Sequence, residues 1–137
     1  MSDYFHLAEL VPPAIYTRFG EQRAWNFVNR RAYKNLIKLR KYLGKPLIIN
    51  NYHCGGEREW SGFRTPESPY FSATSQHAIA NAYDIICVGL TPQEMQAVIQ
   101  EKYQRFNIGG LEIAPSWTHI DWRFNPDQEE LTVFHLT

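Results

Sequence analysis

The chain has 137 residues, of which 44% are hydrophobic, and this is enough material for one core in the ordinary single-domain range. Fourteen basic residues balance fourteen acidic ones, so the net charge gives no reason to expect nucleic acid or an anionic membrane as a partner. No stretch approaches the roughly 18 apolar residues of a membrane span, and the N-terminus lacks the basic start and apolar run of a secretory signal. We therefore expect a single domain over residues 1–137.

The first predicted helix spans residues 21–43. Its most regular part begins after Asn29, which can cap it, because apolar residues then follow at a spacing of three to four. Gly44 ends the helix, since Lys45 and Pro46 follow directly. Basic residues decorate the same segment, and we interpret them as a solvated face rather than a nucleic-acid site: Arg30, Arg31, Lys34, Lys38, Arg40, Lys41 and Lys45.

A short buried strand is predicted over residues 47–50, followed by a long loop from Tyr52 to Ser75. Loops of this length inside a compact domain are usually functional or disordered. This one leads directly to a His- and Asp-containing segment and a buried strand over residues 82–88, so we expect it to border a site.

The second half of the chain begins with a strong helix signal at Thr91. Thr91 can cap the helix, Pro92 suits its first position, and Glu94 completes a capping box, so a helix is predicted to about Phe106. Three further strands are predicted at 111–113, 117–123 and 131–134. The expected fold is α+β, with a small central antiparallel sheet and helices packed on it.

Two imidazoles and a carboxylate form the most informative pattern. His77, Asp84 and His119 are the ligand types that leave a zinc ion one open position. His77 and Asp84 are seven residues apart, which neither a straight helix nor a straight strand would bring onto one ion, so a bend is required between them. On a strand, His119 and Asp121 project from the same face.

These motifs resemble the zinc D-Ala-D-Ala carboxypeptidases and L-alanyl-D-glutamate endopeptidases, which cut peptidoglycan stem peptides. The matching residues of the Ser-x-His-x-x-Gly-x-Ala-x-Asp and His-x-Asp blocks are Ser75, His77, Ala82, Asp84, His119 and Asp121. The segment from Trp60 to Glu67 is similar to the Ser-Gly-aromatic-Arg segment of the family, and residues 49–56 resemble its small phage-encoded branch. The resemblance implies a hedgehog-like fold with Zn2+ held at the sheet surface by His77, Asp84 and His119.

The chain departs from the family pattern at two positions. Ala80 replaces the family glycine, so we expect Asn81 to take the left-handed conformation of the bend. Ser116 occupies the position where several branches carry a carboxylate base. We then expect Asp121 to be the catalytic residue, with Glu112 on the preceding strand as the reserve candidate. Otherwise the chain binds metal without cleaving anything.

For several side chains the sequence is compatible with more than one role. Asp121 is the general base, a partner that orients a ligand histidine, or a salt-bridge partner of Arg123. Arg64 holds the carboxylate of a bound peptide or ties the long loop to a backbone carbonyl. Ser75 binds substrate or stabilises a turn, and Trp60 is the best candidate for a wall of the cleft.

The function implied by the resemblance is zinc-dependent hydrolysis of peptide bonds in peptidoglycan stem peptides, as a carboxypeptidase or an endopeptidase of the endolysin or virion type. The alternative is a non-catalytic, metal-containing phage structural or wall-binding module of the same fold. We expect the stem peptide as partner, neither nucleic acid nor membrane, and a monomer unless the chain belongs to a virion. Without a signal peptide, synthesis is expected in the cytoplasm, with a later route to the wall through a host cell or a virion.

Overall fold

A computed structural model describes residues 4–124 and 130–135. Three α-helices are present in this part of the chain: α1 (Pro13–Ala24), α2 (Arg30–Leu43) and α3 (Pro92–Lys102). Five short 3-10 segments also occur, at Leu7–Glu9, Trp25–Phe27, Tyr52–Cys54, Gln76–Ile79 and Tyr103–Phe106. None of the helices described is long and apolar enough to cross a lipid bilayer.

The prediction of one helix over residues 21–43 is wrong, because two helices meet within it. Asn29 caps α2 as expected, accepting a hydrogen bond from the Ala32 N–H at 3.1 Å, and Gly44 closes it with a φ of 64°. Val28 is extended and separates the two helices. The earlier helix, α1, begins at Pro13, whose fixed φ and missing N–H suit the first helical position.

The sheet has five strands in the order β1-β2-β4-β3-β5. The strands are β1 (Leu47–Ile48), β2 (Ala82–Cys87), β3 (Gly110–Ile113), β4 (Thr118–Asp121) and β5 (Thr132–His135). All pairings are antiparallel except that of β3 with β5, which is parallel. The predicted α+β class is therefore confirmed, and the sheet is mixed rather than wholly antiparallel because the last strand joins an edge in the direction of β3.

The central strands alternate between a core face and a polar face. Tyr83, Ile85, Leu111 and Ile120 are at most 2% exposed and belong to one hydrophobic cluster. The residues next to them in sequence project from the opposite face, because side chains alternate along a strand. That face carries the polar residues singled out in the sequence.

The predicted loop from Tyr52 to Ser75 is held firmly where it passes the sheet. The Asp84 N–H donates to the Ser61 carbonyl at 2.8 Å, and the Phe63 N–H donates to the Leu10 carbonyl at 3.0 Å. The Ser61 N–H donates to the buried Asn50 side chain at 2.8 Å. The loop is thus fixed against β2 and the N-terminal segment at the edge of the polar face.

Candidate metal centre

Sheet register places three acidic and imidazole side chains in one row. His119 on β4 faces Asp84 on β2 and Glu112 on β3 as its Cα partners. Side chains directly opposite each other in antiparallel strands lie about 5 Å apart at Cβ. The row therefore brings together two residues predicted as ligands and one predicted as a catalytic candidate.

His77 reaches this row from a short 3-10 segment that precedes β2. The Ser75 hydroxyl caps the segment by accepting a hydrogen bond from the His77 N–H at 3.2 Å. Ala80 ends the segment in the left-handed region, with φ 58° and ψ 27°. The expectation that Asn81 would take this conformation is wrong, because Ala80 makes the bend itself and Asn81 instead bonds to Gln76 through its main chain and side chain.

The three predicted ligands form a compact triangle of donor atoms. The His77 Nε2 atom lies 3.2 Å from Asp84 Oδ1 and 3.2 Å from His119 Nδ1, and His119 Nδ1 lies 2.9 Å from Asp84 Oδ1. Ligand atoms about 2.0–2.2 Å from a tetrahedral zinc ion are separated by roughly 3–3.5 Å. This buried His-Asp-His group could therefore bind a metal ion with little rearrangement.

Hydrogen bonds outside the triangle fix which nitrogen of each ring faces the centre. The His77 Nδ1–H donates to the Gly62 carbonyl at 2.8 Å, which leaves Nε2 free to coordinate. The His119 Nε2–H donates to Asp121 Oδ2 at 2.8 Å, which leaves Nδ1 free. Such partners orient ligand rings and raise their basicity in known metal sites.

Asp121 follows His119 by two residues on β4 and is fully buried, with 0% exposure. Besides His119, its carboxylate accepts two hydrogen bonds from the Arg123 guanidinium, at 2.8 and 2.6 Å. A Cβ at Gly110 would overlap both of these side chains, so glycine at this position leaves the space they occupy. Of the three interpretations of Asp121, the geometry favours the two structural ones together, namely orienting a ligand and pairing with Arg123.

Asp84 has a second partner on the side away from the rings. Arg64 donates from Nη2 to Asp84 Oδ2 at 2.9 Å and from Nε to the Trp60 carbonyl at 2.6 Å. One oxygen of Asp84 therefore faces the histidines while the other is held by a cation. The long loop thus borders the site, as expected, and Arg64 also ties that loop to a backbone carbonyl.

The charges of the group are strongly coupled. Burial opposes ionisation of Asp84, but hydrogen bonds from His119 and His77 outweigh it and hold the pKa of Asp84 below its ordinary value. Burial likewise favours the neutral form of His119, yet its hydrogen bonds with Asp121 and Asp84 raise its pKa to about 9. For Asp121, burial is outweighed by hydrogen bonds from Arg123 and His119, which lower its pKa to about 2.

The triangle opens into a cleft of about 490 Å³. Its walls include Arg64, Tyr70, Glu112, Trp117, Arg123 and Phe134. A second pocket of about 250 Å³ shares several of these walls and adds Trp60. The triangle therefore lies at the base of an open cleft that continues along the Trp60 side.

The remaining predicted residues lie outside the triangle, and three of the four line one of the two pockets. Glu112 lines the cleft, and its side chain makes no hydrogen bond or ion pair within the described residues, although its charge acts on Arg64 and Arg123. Ser75 lines the cleft while capping the His77 segment. Trp60 lines the adjoining pocket, and Ser116 is exposed in the turn between β3 and β4.

Two parts of the site carried no clear sequence signal. The Gly62 carbonyl orients His77 through the backbone, and a backbone carbonyl leaves no mark in the sequence. Tyr70 lines both pockets beside Arg64, with the Arg64 Cζ atom 5.7 Å from its ring centroid. A single aromatic residue in a loop belongs to no periodic sequence pattern, so its position beside Arg64 becomes visible only in the folded structure.

Comparison with protein-family models, with curated proteins and with solved structures finds no match to this chain.

Proposed function

We propose that this protein is a zinc-dependent hydrolase of peptide bonds in peptidoglycan stem peptides. The observation that carries the proposal is the donor triangle of His77, Asp84 and His119 at the base of an open cleft. Two histidines and one carboxylate are the protein ligands of many catalytic zinc sites, which keep one position open. The substrate class is inferred from the sequence motifs, which occur in the same order as in the peptidoglycan peptidases that they resemble.

Zinc is favoured among the metals that accept this donor set. The same set serves Fe(II) in some oxygenases. The choice of zinc therefore depends on the resemblance of the motifs, since the hydrogen bonds of the ligand histidines to a carboxylate and a backbone carbonyl suit either metal. A zinc ion held here would polarise the scissile carbonyl and activate a water molecule at neutral pH.

Glu112 is the side chain best suited to move the proton in this reaction. Its carboxylate faces the cleft from the strand position opposite His119, and within the described residues no hydrogen bond or ion pair engages it. Asp121 has neither property, since it is fully buried and already accepts from His119 and Arg123. We assign Glu112 to take the proton from the attacking water and return it to the leaving amine.

The walls of the cleft suggest how a peptide would lie. Arg64 uses Nε and Nη2 in hydrogen bonds with the protein, and its third nitrogen makes no hydrogen bond with the described residues, so we expect it to donate to a substrate carboxylate or carbonyl. Tyr70 and Trp117 line both pockets, so one extended peptide could follow them past the centre toward Trp60. Ser75 lines the same cleft and stays a candidate for binding the peptide.

The test is the mass of fragments released from defined stem peptides by purified protein, before and after removal of metal with a chelator. We expect cleavage that is lost on chelation and restored by one equivalent of Zn2+. Peptides bearing D-Ala-D-Ala and L-Ala-D-Glu bonds distinguish carboxypeptidase from endopeptidase action. Metal binding without cleavage of any of these peptides would contradict the proposal and favour the non-catalytic wall-binding or virion module.

A further inference from the structure

Cationic side chains form a continuous stripe along the exposed side of α2. At about 100° of rotation per residue, the five members of this basic stripe fall within an arc of about 100°. All five are exposed: Arg30, Arg31, Lys34, Lys38 and Lys41. The opposite side of the helix packs into the core through Ala32, Leu36 and Leu39, which are 0% exposed.

The stripe is a strong local charge in a protein of zero net charge. Residues 22–56 contain eight basic residues and no acidic residue, which leaves six basic and fourteen acidic residues elsewhere. Within residues 4–124 and 130–135, no member of the stripe forms an ion pair. The five aligned cations thus form no ion pair with the described residues, although the chain has acidic residues in equal number and Glu130 lines the same pocket as Arg31.

We propose that the basic stripe binds an anionic cell-wall polymer with a phosphodiester backbone. Cations four residues apart on a helix, such as Arg30, Lys34 and Lys38, are separated by about 6 Å along its axis. Such a row suits a flexible chain that carries one negative charge per repeat, since each cation can pair with a successive phosphate. The choice of a wall polymer rests on the proposed function, whereas the phosphate chemistry rests on the stripe itself.

Other anionic partners fit this surface less well. A helix that inserts into a membrane needs an exposed apolar side, and the apolar side of α2 is in the core. Single-stranded nucleic acid is bound through exposed aromatic rings on which bases stack. Near the stripe, Tyr4 is 42% and Tyr42 is 41% exposed. Arg40 and Lys41 lie over the Tyr4 ring and Arg105 lies over the Tyr42 ring, so these cations compete with a base for the ring faces.

The stripe is also placed to assist the metal centre. Arg31 lines a pocket of about 320 Å³ together with Arg123, and Arg123 also lines the cleft at the centre. Arg31 is anchored there by a hydrogen bond from Nη1 to the Trp122 carbonyl at 3.3 Å. A polymer bound along α2 would therefore hold the protein on the wall with its cleft nearby.

The experiment measures binding of the full chain to synthetic poly(glycerol phosphate), by fluorescence anisotropy of a labelled polymer, in metal-free and zinc-loaded protein. With about five phosphate contacts, affinity should fall roughly 50-fold between about 50 and about 150 mM salt, as for other single-chain phosphodiesters. The variant K34E/K38E should bind at least about tenfold more weakly at the lower salt concentration. The neutral variant K34Q/K38Q should show a smaller loss in the same direction.

The control variant R18E/K102E makes the same change in net charge away from the stripe and should bind as the native protein does. Equal losses in this control and in K34E/K38E would overturn the proposal, as would tight binding that salt does not weaken. Preference for DNA of equal charge, or for phosphatidylglycerol vesicles, would overturn the assignment to a wall polymer. Because binding is measured without cleavage, an inactive protein that binds the polymer refutes only the proposed hydrolysis.

Discussion

The division of roles between Glu112 and Asp121 leads to opposite phenotypes for two similar substitutions. Glu112→Gln removes a carboxylate that faces the cleft and makes no hydrogen bond within the described residues. We therefore expect its zinc content to be unchanged and its free energy of unfolding to stay within about 0.5 kcal/mol of the native value. Its turnover should fall about 10²–10⁴-fold, the usual contribution of a positioned general base. This loss corresponds to about 3–5 kcal/mol in the activation barrier.

Asp121→Asn acts through the metal instead. In the native protein the Asp121 carboxylate accepts a hydrogen bond from His119 at 2.8 Å and pairs with Arg123 at 2.6 Å. The substitution therefore weakens the group that orients the ring of the ligand His119. Loss of such an outer partner typically costs about 10–100-fold in metal affinity. With zinc added to saturation, we expect its turnover to return to within about tenfold of the native rate.

Both variants are measured by mass spectrometry of stem-peptide cleavage at several zinc concentrations, with zinc affinity obtained by competition against a chromophoric chelator. A near-native cleavage rate of Glu112→Gln would refute the role of Glu112 as general base. A zinc-saturated Asp121→Asn protein that is as inactive as Glu112→Gln is expected to be would refute the orienting role of Asp121.

Three further predictions concern the surroundings of the site. Gly110→Ala places a methyl group where Asp121 lies. We therefore expect the free energy of unfolding by urea to fall by about 1–3 kcal/mol and zinc binding to weaken. Native values for both would show that Asp121 does not need the space beside Gly110. Ala80→Gly relieves a residue held at a φ of 58°, so the same urea titration should show a gain of up to about 1 kcal/mol, and a destabilised variant would contradict the assigned bend. Because the pKa of His119 is raised to about 9 in the metal-free protein, zinc must displace a proton at neutral pH, and apparent zinc affinity should rise with pH until about pH 9. Calorimetry at about pH 7.5 in buffers of different ionisation enthalpy should detect about one proton released per zinc, and zero release would contradict the assignment.

Helix ends were predictable from sequence where a side chain satisfies neighbouring backbone groups. Asn29 and Gly44 bound α2 as expected, and the Thr91–Glu94 capping box is formed, with hydrogen bonds of 3.0 and 2.9 Å. The start of α1 at Pro13 also had a local signal, a proline suited to the first helical turn. Its extent was obscured because the backbone leaves the helical conformation at Gly20, with φ 79° and ψ 161°, so that α1 consists of two short helical stretches joined at a kink.

The candidate ligands were predictable because their types and spacing restrict the chemistry. What the pattern could not supply is the register of strands that are distant in sequence. Glu112 gains its position from pairing with His119 across β3 and β4, and the His-x-Asp motif alone left three roles open for Asp121. The parallel pairing of β5 with β3 likewise depends on how the chain returns to the sheet. At the bend before β2, a local preference predicted the wrong residue. Asn81 has the stronger preference for left-handed geometry, but the tertiary structure places the bend at Ala80, which has a φ of 58°.

The most direct test of the account is the metal content of purified protein after zinc loading and removal of excess metal by gel filtration. Native protein and a His53→Ala control, altered at an exposed histidine outside the triangle, should each retain one equivalent of zinc. His77→Ala and His119→Ala should each retain far less, because loss of one of three ligands severely weakens a site. A full equivalent of zinc in either ligand variant would contradict the assignment of the centre to His77, Asp84 and His119.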